Sequence, residues 1–249
     1  YRDDYFPRGR TGNGISGRGV GNWDDYINFM KKQLTELLTN YGEIGGIWFD
    51  GEWAQFEWDG KRFGKKMSDF KLDEIYSLIH KLQPQALIGS NHHLAPNPGE
   101  DFQMFEKDLP GGRTKSYATP EEDIGNLPLE VCETINGSWG FNLQDRKHKS
   151  IKTLIHYLIK AAGYDSNFLL NVGPMPNGKI QEEHIDSLNE IGKWIKLNGN
   201  TISGTTGGEI NPTNEIAITK KKNIKYIHLL GNKIKYVIEG YSPKIKSLK

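Results

Sequence analysis

Asp50 closes the run Ile44-Gly45-Gly46-Ile47-Trp48-Phe49-Asp50-Gly51, which reads as a short buried strand stopping on a carboxylate. In an α/β barrel the strand ends open into the active-site mouth, so an acid at that point is a candidate for chemistry. The aromatic neighbours suit a sugar, whose apolar faces stack on rings while its hydroxyls take polar partners. An aspartate after a strand also serves simply to cap the next turn. Further polar residues fall at or just beyond expected strand ends: Asn91, His92 and His93; Glu100, Asp101 and Glu106; Asn136 and Trp139; Asn171. Two carboxylates so placed meet the needs of glycoside hydrolysis. One attacks the anomeric carbon or activates water, while the other, its pKa raised by partial burial, protonates the leaving oxygen.

The adjacent histidines admit three roles: metal ligands, partners of a sugar hydroxyl, or lining of a polar rim. No further histidine stands at a ligand-like spacing, which counts against a metal. Asn136 and Asn171 fit the holding of loop backbones better than catalysis. Trp23 and Trp194 fall on helical patterns and read as packing, whereas Trp53 and Trp58 follow Asp50 and are placed to shape a leaving-group subsite. Gly12-Asn13-Gly14-Ile15-Ser16-Gly17 matches a dinucleotide-binding pattern, but no strand precedes it, so a loop over a site mouth is the better reading.

The chain has 249 residues, enough for one large domain or a domain with a small appendage. Its 32 basic and 31 acidic residues leave a net charge of +1, which offers nothing to nucleic acid or to an acidic membrane. No apolar run approaches the ~20 residues of a membrane span. A single cysteine excludes an intrachain disulfide and a cysteine-rich zinc site, and Cys132 reads as a small buried hydrophobe.

These residues must be positioned by alternating strands and helices. Apolar residues recur at helical spacing from Trp23 to Tyr41, with Asn22 as N-cap and Gly42 as terminator. After the strand ending at Asp50 a polar loop runs to Ser68. A helix then starts near Asp69 and stops at Pro84, and Ala86–Ser90 forms a strand. Beyond a less regular middle come a strand at Leu129–Thr134, a helix at Ser150–Ala162 with Gly163 as C-cap, a buried strand at Phe168–Val172 and a helix at Gln181–Leu197. After Gly199 the segments Glu215–Thr219, Ile224–Leu230 and Lys233–Ile238 read as antiparallel strands, with a hairpin turn at Gly231-Asn232.

Three motifs, Gly46-Ile47-Trp48-Phe49-Asp50-Gly51, Gly137-Ser138-Trp139-Gly140-Phe141-Asn142 and Asn167-Phe168-Leu169-Leu170-Asn171-Val172-Gly173-Pro174, occur in the order seen in the retaining α-L-fucosidase family. Tyr5-Phe6-Pro7-Arg8-Gly9-Arg10-Thr11-Gly12 resembles a loop of its bacterial members. The resemblance covers nearly the whole chain and is strongest between residues 40 and 200. It implies an α/β fold: the later part of a (β/α)8-like (TIM) barrel over residues 1–199, then the start of an antiparallel β-sandwich over 200–249. It further implies cleavage of terminal α-linked L-fucose with retention, through a covalent fucosyl-enzyme intermediate and with no metal or other cofactor. Carried over by motif, Asp50 matches the nucleophile, Trp48 a wall of the fucose pocket, and Trp139 an aromatic residue near the sugar's methyl-bearing edge. One of His92 and His93 then meets a fucose hydroxyl or the leaving group. The segment Gly99–Glu106 resembles the one that carries the acid/base; Glu106 aligns best and Glu100 is the runner-up. With Glu106 in that role, its carboxyl should lie about 5–5.5 Å from that of Asp50, while roughly 9 Å would point to an inverting arrangement or to another residue.

The implied partner is a fucosylated glycan, and a periplasmic or extracellular setting follows from the family alone. The family's early barrel strands have no counterpart here, and Tyr1 falls where the strand before the nucleophile strand should just have ended. The chain thus reads as a piece of a longer enzyme whose incomplete barrel edge invites association. Two other readings stand beside hydrolysis: a non-catalytic carbohydrate-binding remnant, and a metal-dependent barrel hydrolase using Asp50, His92 and His93.

Overall fold

The computed structural model describes residues 22–51, 56–58, 63–66, 69–92, 95–111 and 124–232. The first helix, α1 (Trp23–Asn40), starts where Asn22 accepts a hydrogen bond from the Asp24 backbone N–H at 3.0 Å. Asp24 and Asp25 in its first turn suit the positive end of the helix dipole. Gly42, at φ +84°, takes the left-handed turn into strand β1 (Gly46–Asp50). Within the segment expected to be a polar loop, β2 (Phe56–Trp58) and β3 (Phe63–Lys66) form a small antiparallel pair. Helix α2 (Leu72–Leu82) begins at Leu72 rather than near Asp69, because Lys71 adopts a left-handed conformation tied to the Asp69 carboxylate.

Strands β4 (Leu87–Asn91), β5 (Phe102–Glu106) and β6 (Leu129–Thr134) follow, then α3 (Ile151–Gly163), β7 (Ser166–Asn171) and α4 (Glu182–Asn198). A second, antiparallel sheet holds β8 (Thr206–Gly207), β9 (Ile216–Lys221) and β10 (Ile224–Leu229), with β9 central. The fold is mixed α/β with a parallel sheet and a separate antiparallel one. No helix among the described residues is long and apolar enough to cross a membrane.

The main sheet is parallel throughout, in the order β1-β4-β5-β6-β7. Register sorts its side chains onto two faces, because successive residues of a strand point to opposite sides. Ile47, Phe49 and Ile88 pack against Leu34 and Leu38 of α1 and Ile75, Tyr76 and Ile79 of α2. On the same face Phe105, Leu129, Val131 and Phe168 form a cluster in which Phe168 stacks on Tyr157 of α3. Leu170 joins Leu154 and Ile191 between α3 and α4. Each such side chain taken fully out of water contributes about 1.5–3 kcal/mol. The opposite face carries Trp48, Asp50, Asn91, Glu106, Cys132 and Asn171, brought into line by the pairings Asp50↔Asn91, Glu106↔Cys132 and Thr134↔Asn171.

Several expectations change. β1 is an edge strand of the described sheet, its residues alternating exposed and half-buried, and Trp48 is 43% exposed. Its apolar residues occupy both faces, and only Ile47 and Phe49 meet the helices. β7, also expected buried, is the other edge and half-buried along most of its length. Gly163 is no left-handed cap: the helix runs through it and Asp165, at φ +60°, makes the turn. The glycine is needed for space, since a Cβ there would stand 2.7 Å from Pro212 Cγ where the second sheet crosses the end of α3. That sheet turns between β9 and β10 at Lys222, φ +54°. Ala217 and Leu230 pack it on Ile159 of α3 and Trp194 of α4. Beyond Gly231-Asn232 the chain lies outside the described residues, as does the loop of residues 5–17.

Candidate active site

Asp50, Asn91, Glu106, Thr134 and Asn171 are the last residues of β1, β4, β5, β6 and β7, so the parallel sheet delivers them to one edge. Three of them converge. The Asn91 amide nitrogen donates to Glu106 Oε2 at 2.8 Å and reaches Asp50 Oδ1 at 3.5 Å, the latter long for a hydrogen bond. The two oxygens that share this nitrogen are therefore at most about 6.3 Å apart, a bound that admits the separation of about 5–5.5 Å between the carboxyls of a retaining glycosidase pair. Asp50 Oδ1 also accepts from the Gly51 N–H at 2.9 Å.

Glu106 is buried, and its other oxygen, Oε1, accepts from the Trp139 indole N–H at 3.0 Å. The loop bearing Trp139 is fixed from three sides. Asp145 accepts from Gly137 N and Ser138 Oγ, both at 2.8 Å, and the Ser138 hydroxyl leads the interactions that hold this carboxyl below its usual range. Asn171 donates to the Trp139 carbonyl at 2.7 Å. Lys107 donates to the Gly137 carbonyl at 2.8 Å, and its ammonium lies 4.9 Å from the Trp139 ring centroid. Gly173 completes the contact: a Cβ there would come within 2.6 Å of the backbone at Gly140 and Phe141. Asn136 donates to the Asp145 carbonyl at 3.3 Å. Both asparagines thus hold loop backbones.

Glu100 belongs to another environment. Its Oε1 accepts from Tyr76 Oη at 3.1 Å and lies 3.0 Å from His92 Nε2, and its Oε2 takes the Asn97 N–H at 3.2 Å. The His92 and Glu100 side chains are 2% and 1% exposed. Asp101 joins His80 of α2 at 3.0 Å to the Ile88 N–H at 2.8 Å, so it ties helix to sheet. Among the described residues no three His, Cys, Asp or Glu side chains converge as a metal site would require. His93 and Trp53 lie outside the described residues, and so does the side chain of Trp58. Trp48 stands on the same face as Asp50, on β1. Trp23 packs edge-on to Phe70 at 4.9 Å. Cys132, opposite Glu106 on β6, is buried, and burial with the nearby carboxylates pushes its thiol pKa up.

Sequence reasoning placed Asn91 at a strand end without giving it a part, and it passed over Lys107. The signal for Asn91 is positional: it ends the strand that neighbours the one ended by Asp50.

The family model described as Alpha-L-fucosidase matches residues 3–200. Alpha-L-fucosidase 1 of Arabidopsis thaliana is 28% identical over 221 residues, covering 76% of this chain and 41% of that protein. Alpha-L-fucosidase isoenzyme 1 from Paenibacillus thiaminolyticus superposes with a TM-score of 0.69 at 30% identity, over 90% of this chain and 51% of its own. The Thermotoga maritima alpha-fucosidase, solved in complex with fucose, shares the fold with a TM-score of 0.55 at 22% identity, over 82% of this chain and 42% of its own. The chain spans about half the length of the relatives it matches.

Proposed function

The chain belongs to the alpha-L-fucosidase family, and from that premise we propose that it hydrolyses terminal α-L-fucosyl residues of glycans with retention, Asp50 serving as nucleophile and Glu106 as acid/base. One observation carries the assignment: a single amide touches both carboxylates, which keeps them near the separation of a retaining pair. In the first step the Asp50 carboxylate attacks the anomeric carbon while Glu106 gives its proton to the departing glycosidic oxygen. The C–O bond breaks, leaving a fucosyl ester on Asp50. Glu106, now a carboxylate, takes a proton from water as that water attacks the same carbon, and Asp50 is released ionised. Trp48, on the sheet face that carries Asp50, and Trp139, whose indole N–H reaches Glu106, offer ring faces and edges to the sugar. Five parallel strands in sequential order, helices on one face and the acids at their C-terminal ends support placement in a (β/α)8-like barrel.

Hydrolysis of an aryl α-L-fucoside by this chain, run beside Asp50→Ala and Glu106→Ala, tests the proposal. Loss of at least about a thousandfold in Asp50→Ala is expected, with azide restoring part of the loss in Glu106→Ala. Turnover that survives both substitutions refutes it. Saturable fucose binding by a folded chain that releases no aglycone would instead support a carbohydrate-binding role.

A further inference from the structure

We propose that Asn91 is the positioning residue of the carboxylate pair, one amide whose two N–H bonds orient Asp50 and Glu106 together and set the pH at which they hold a single proton. The inference rests on the assignment of that pair made above. Its first support is topology. Asn91 ends β4, which lies between β1 and β5, and its register partner is Asp50. A side chain there has one acid on either side.

The second support is donor count. A carboxamide nitrogen carries two hydrogens and no charge, so it can address two acceptors at once. A serine carries one such hydrogen, and an aspartate carries none when ionised. The contacts are 2.8 Å to Glu106 and 3.5 Å to Asp50.

The third support is an unfavourable feature the site tolerates. Asn91 is 5% exposed, and its carbonyl oxygen is buried with no hydrogen-bond partner among the described residues. Turning the amide over would place that oxygen against two carboxylates. The pair therefore dictates which way the amide faces, even though its acceptor is left unsatisfied. Donation to an ionised carboxylate favours the ionised form. Asp50 needs that form to attack and Glu106 needs it to accept a proton from water, while the protonated Glu106 of the first step still offers the amide an acceptor oxygen.

Other charged and titratable groups lie on the elements around the pair, Cys132 and Glu130 on its own sheet face and the rest turned to other partners. Lys107 follows Glu106 on β5, Cys132 stands opposite it on β6 with Glu130 and Glu133 nearby, and the His92–Glu100 pair follows β4. The test must therefore read the two carboxyls individually. Carboxyl 13C NMR titration of the labelled chain does so, with Asp50→Asn and Glu106→Gln supplying the assignments. In Asn91→Ala the Glu106 midpoint should rise by about one pH unit, and the Asp50 midpoint by less because its contact is longer. In Asn91→Asp, which keeps the size of the side chain, a third carboxyl should push the highest midpoint of the group further up.

Midpoints that stay in place for both acids in a folded Asn91→Ala overturn the proposal. Should Asn91→Ala fail to fold, an unmoved Glu106 midpoint in Asn91→Asp overturns it equally. The reading of Asp50 and Glu106 as catalytic falls on a different result, turnover surviving their removal, so the two failures are distinguishable. Where turnover is measurable, azide that restores Glu106→Ala should leave Asn91→Ala unrestored, because Asn91 transfers no proton itself.

Discussion

Glu100 and Glu106 lie in one short segment, and replacing each by glutamine should damage different properties. Glu100 accepts from Tyr76 and Asn97 and pairs with His92 in a setting almost closed to solvent. Glutamine keeps the volume and one acceptor oxygen, but its NH2 must face donors that the carboxylate had satisfied. Leaving a buried donor unsatisfied costs about 1–3 kcal/mol, and with several donors turned on Glu100 the loss in Glu100→Gln is about 3 kcal/mol. For a chain of this size each kcal/mol lowers the melting temperature by about 2–4 °C, so a fall of about 6–12 °C is expected. Glu106→Gln keeps one of its two acceptor contacts and should melt within a few degrees of the parent, yet lose turnover.

Thermal unfolding followed by circular dichroism, beside aryl α-L-fucoside hydrolysis, separates the two. The reasoning fails if Glu100→Gln melts within about 2 °C of the parent while turnover disappears. That result would make Glu100 the proton donor and reduce the Asn91–Glu106 contact to packing.

Trp139→Phe keeps a ring beneath Lys107 but removes the N–H that Glu106 accepts, so kcat/KM should fall about 10- to 100-fold, with unchanged kinetics counting against that contact. Gly89→Ala would set a Cβ 2.2 Å from Phe102 Cζ, costing about 1–3 kcal/mol in urea unfolding. Adding Phe102→Leu should recover much of that loss, whereas strict additivity would show the ring is not the obstacle. Burial, with His148 beside it, holds His184 below the usual imidazole range. The unfolded chain binds that proton more readily, so the contribution is complete above about pH 6.5 and is lost as pH falls through the folded-state value. Urea unfolding at about pH 7.5 and about pH 5 should show a smaller acid loss in His184→Gln, and equal losses in both chains would exclude His184 as the cause.

The helices were legible because their apolar residues repeat at one period and their ends carry cues such as Asn22 and Gly42. Strand β5 was not. Phe102-Gln103-Met104-Phe105-Glu106 interrupts its apolar residues with Gln103, which lies on the helix-covered face and is satisfied there by the Gly125 N–H at 2.8 Å. A buried glutamine with a tertiary partner looks like a loop residue until the partner is known. β1 erred in the opposite sense: Trp48 made the run look buried on both faces, although it projects from an edge strand on the face opposite the helices. Composition reports what could be buried, while sheet order decides what is.

The same distinction explains how much of the site was visible. Asp50 could be found because a carboxylate after an apolar strand is unusual chemistry in an obvious place. Resemblance alone ranked Glu106 above Glu100; the physical ground for that order, which carboxylate shares a sheet face with Asp50 and which turns to Tyr76 and His92, is held in no local pattern. Asn91 was hidden further, since an asparagine after a strand reads as a turn residue. It gains a role only because β4 runs between β1 and β5, and because parallel register sets it opposite Asp50. A one-residue slip of β4 would send Asn91 to the helix-covered face and bring Ser90, a single-hydroxyl donor, between the two acids. The register that buries Ile88 against α2 is thus the same one that bridges the carboxylates, so the stability of this sheet and the geometry of its acid pair cannot be varied independently.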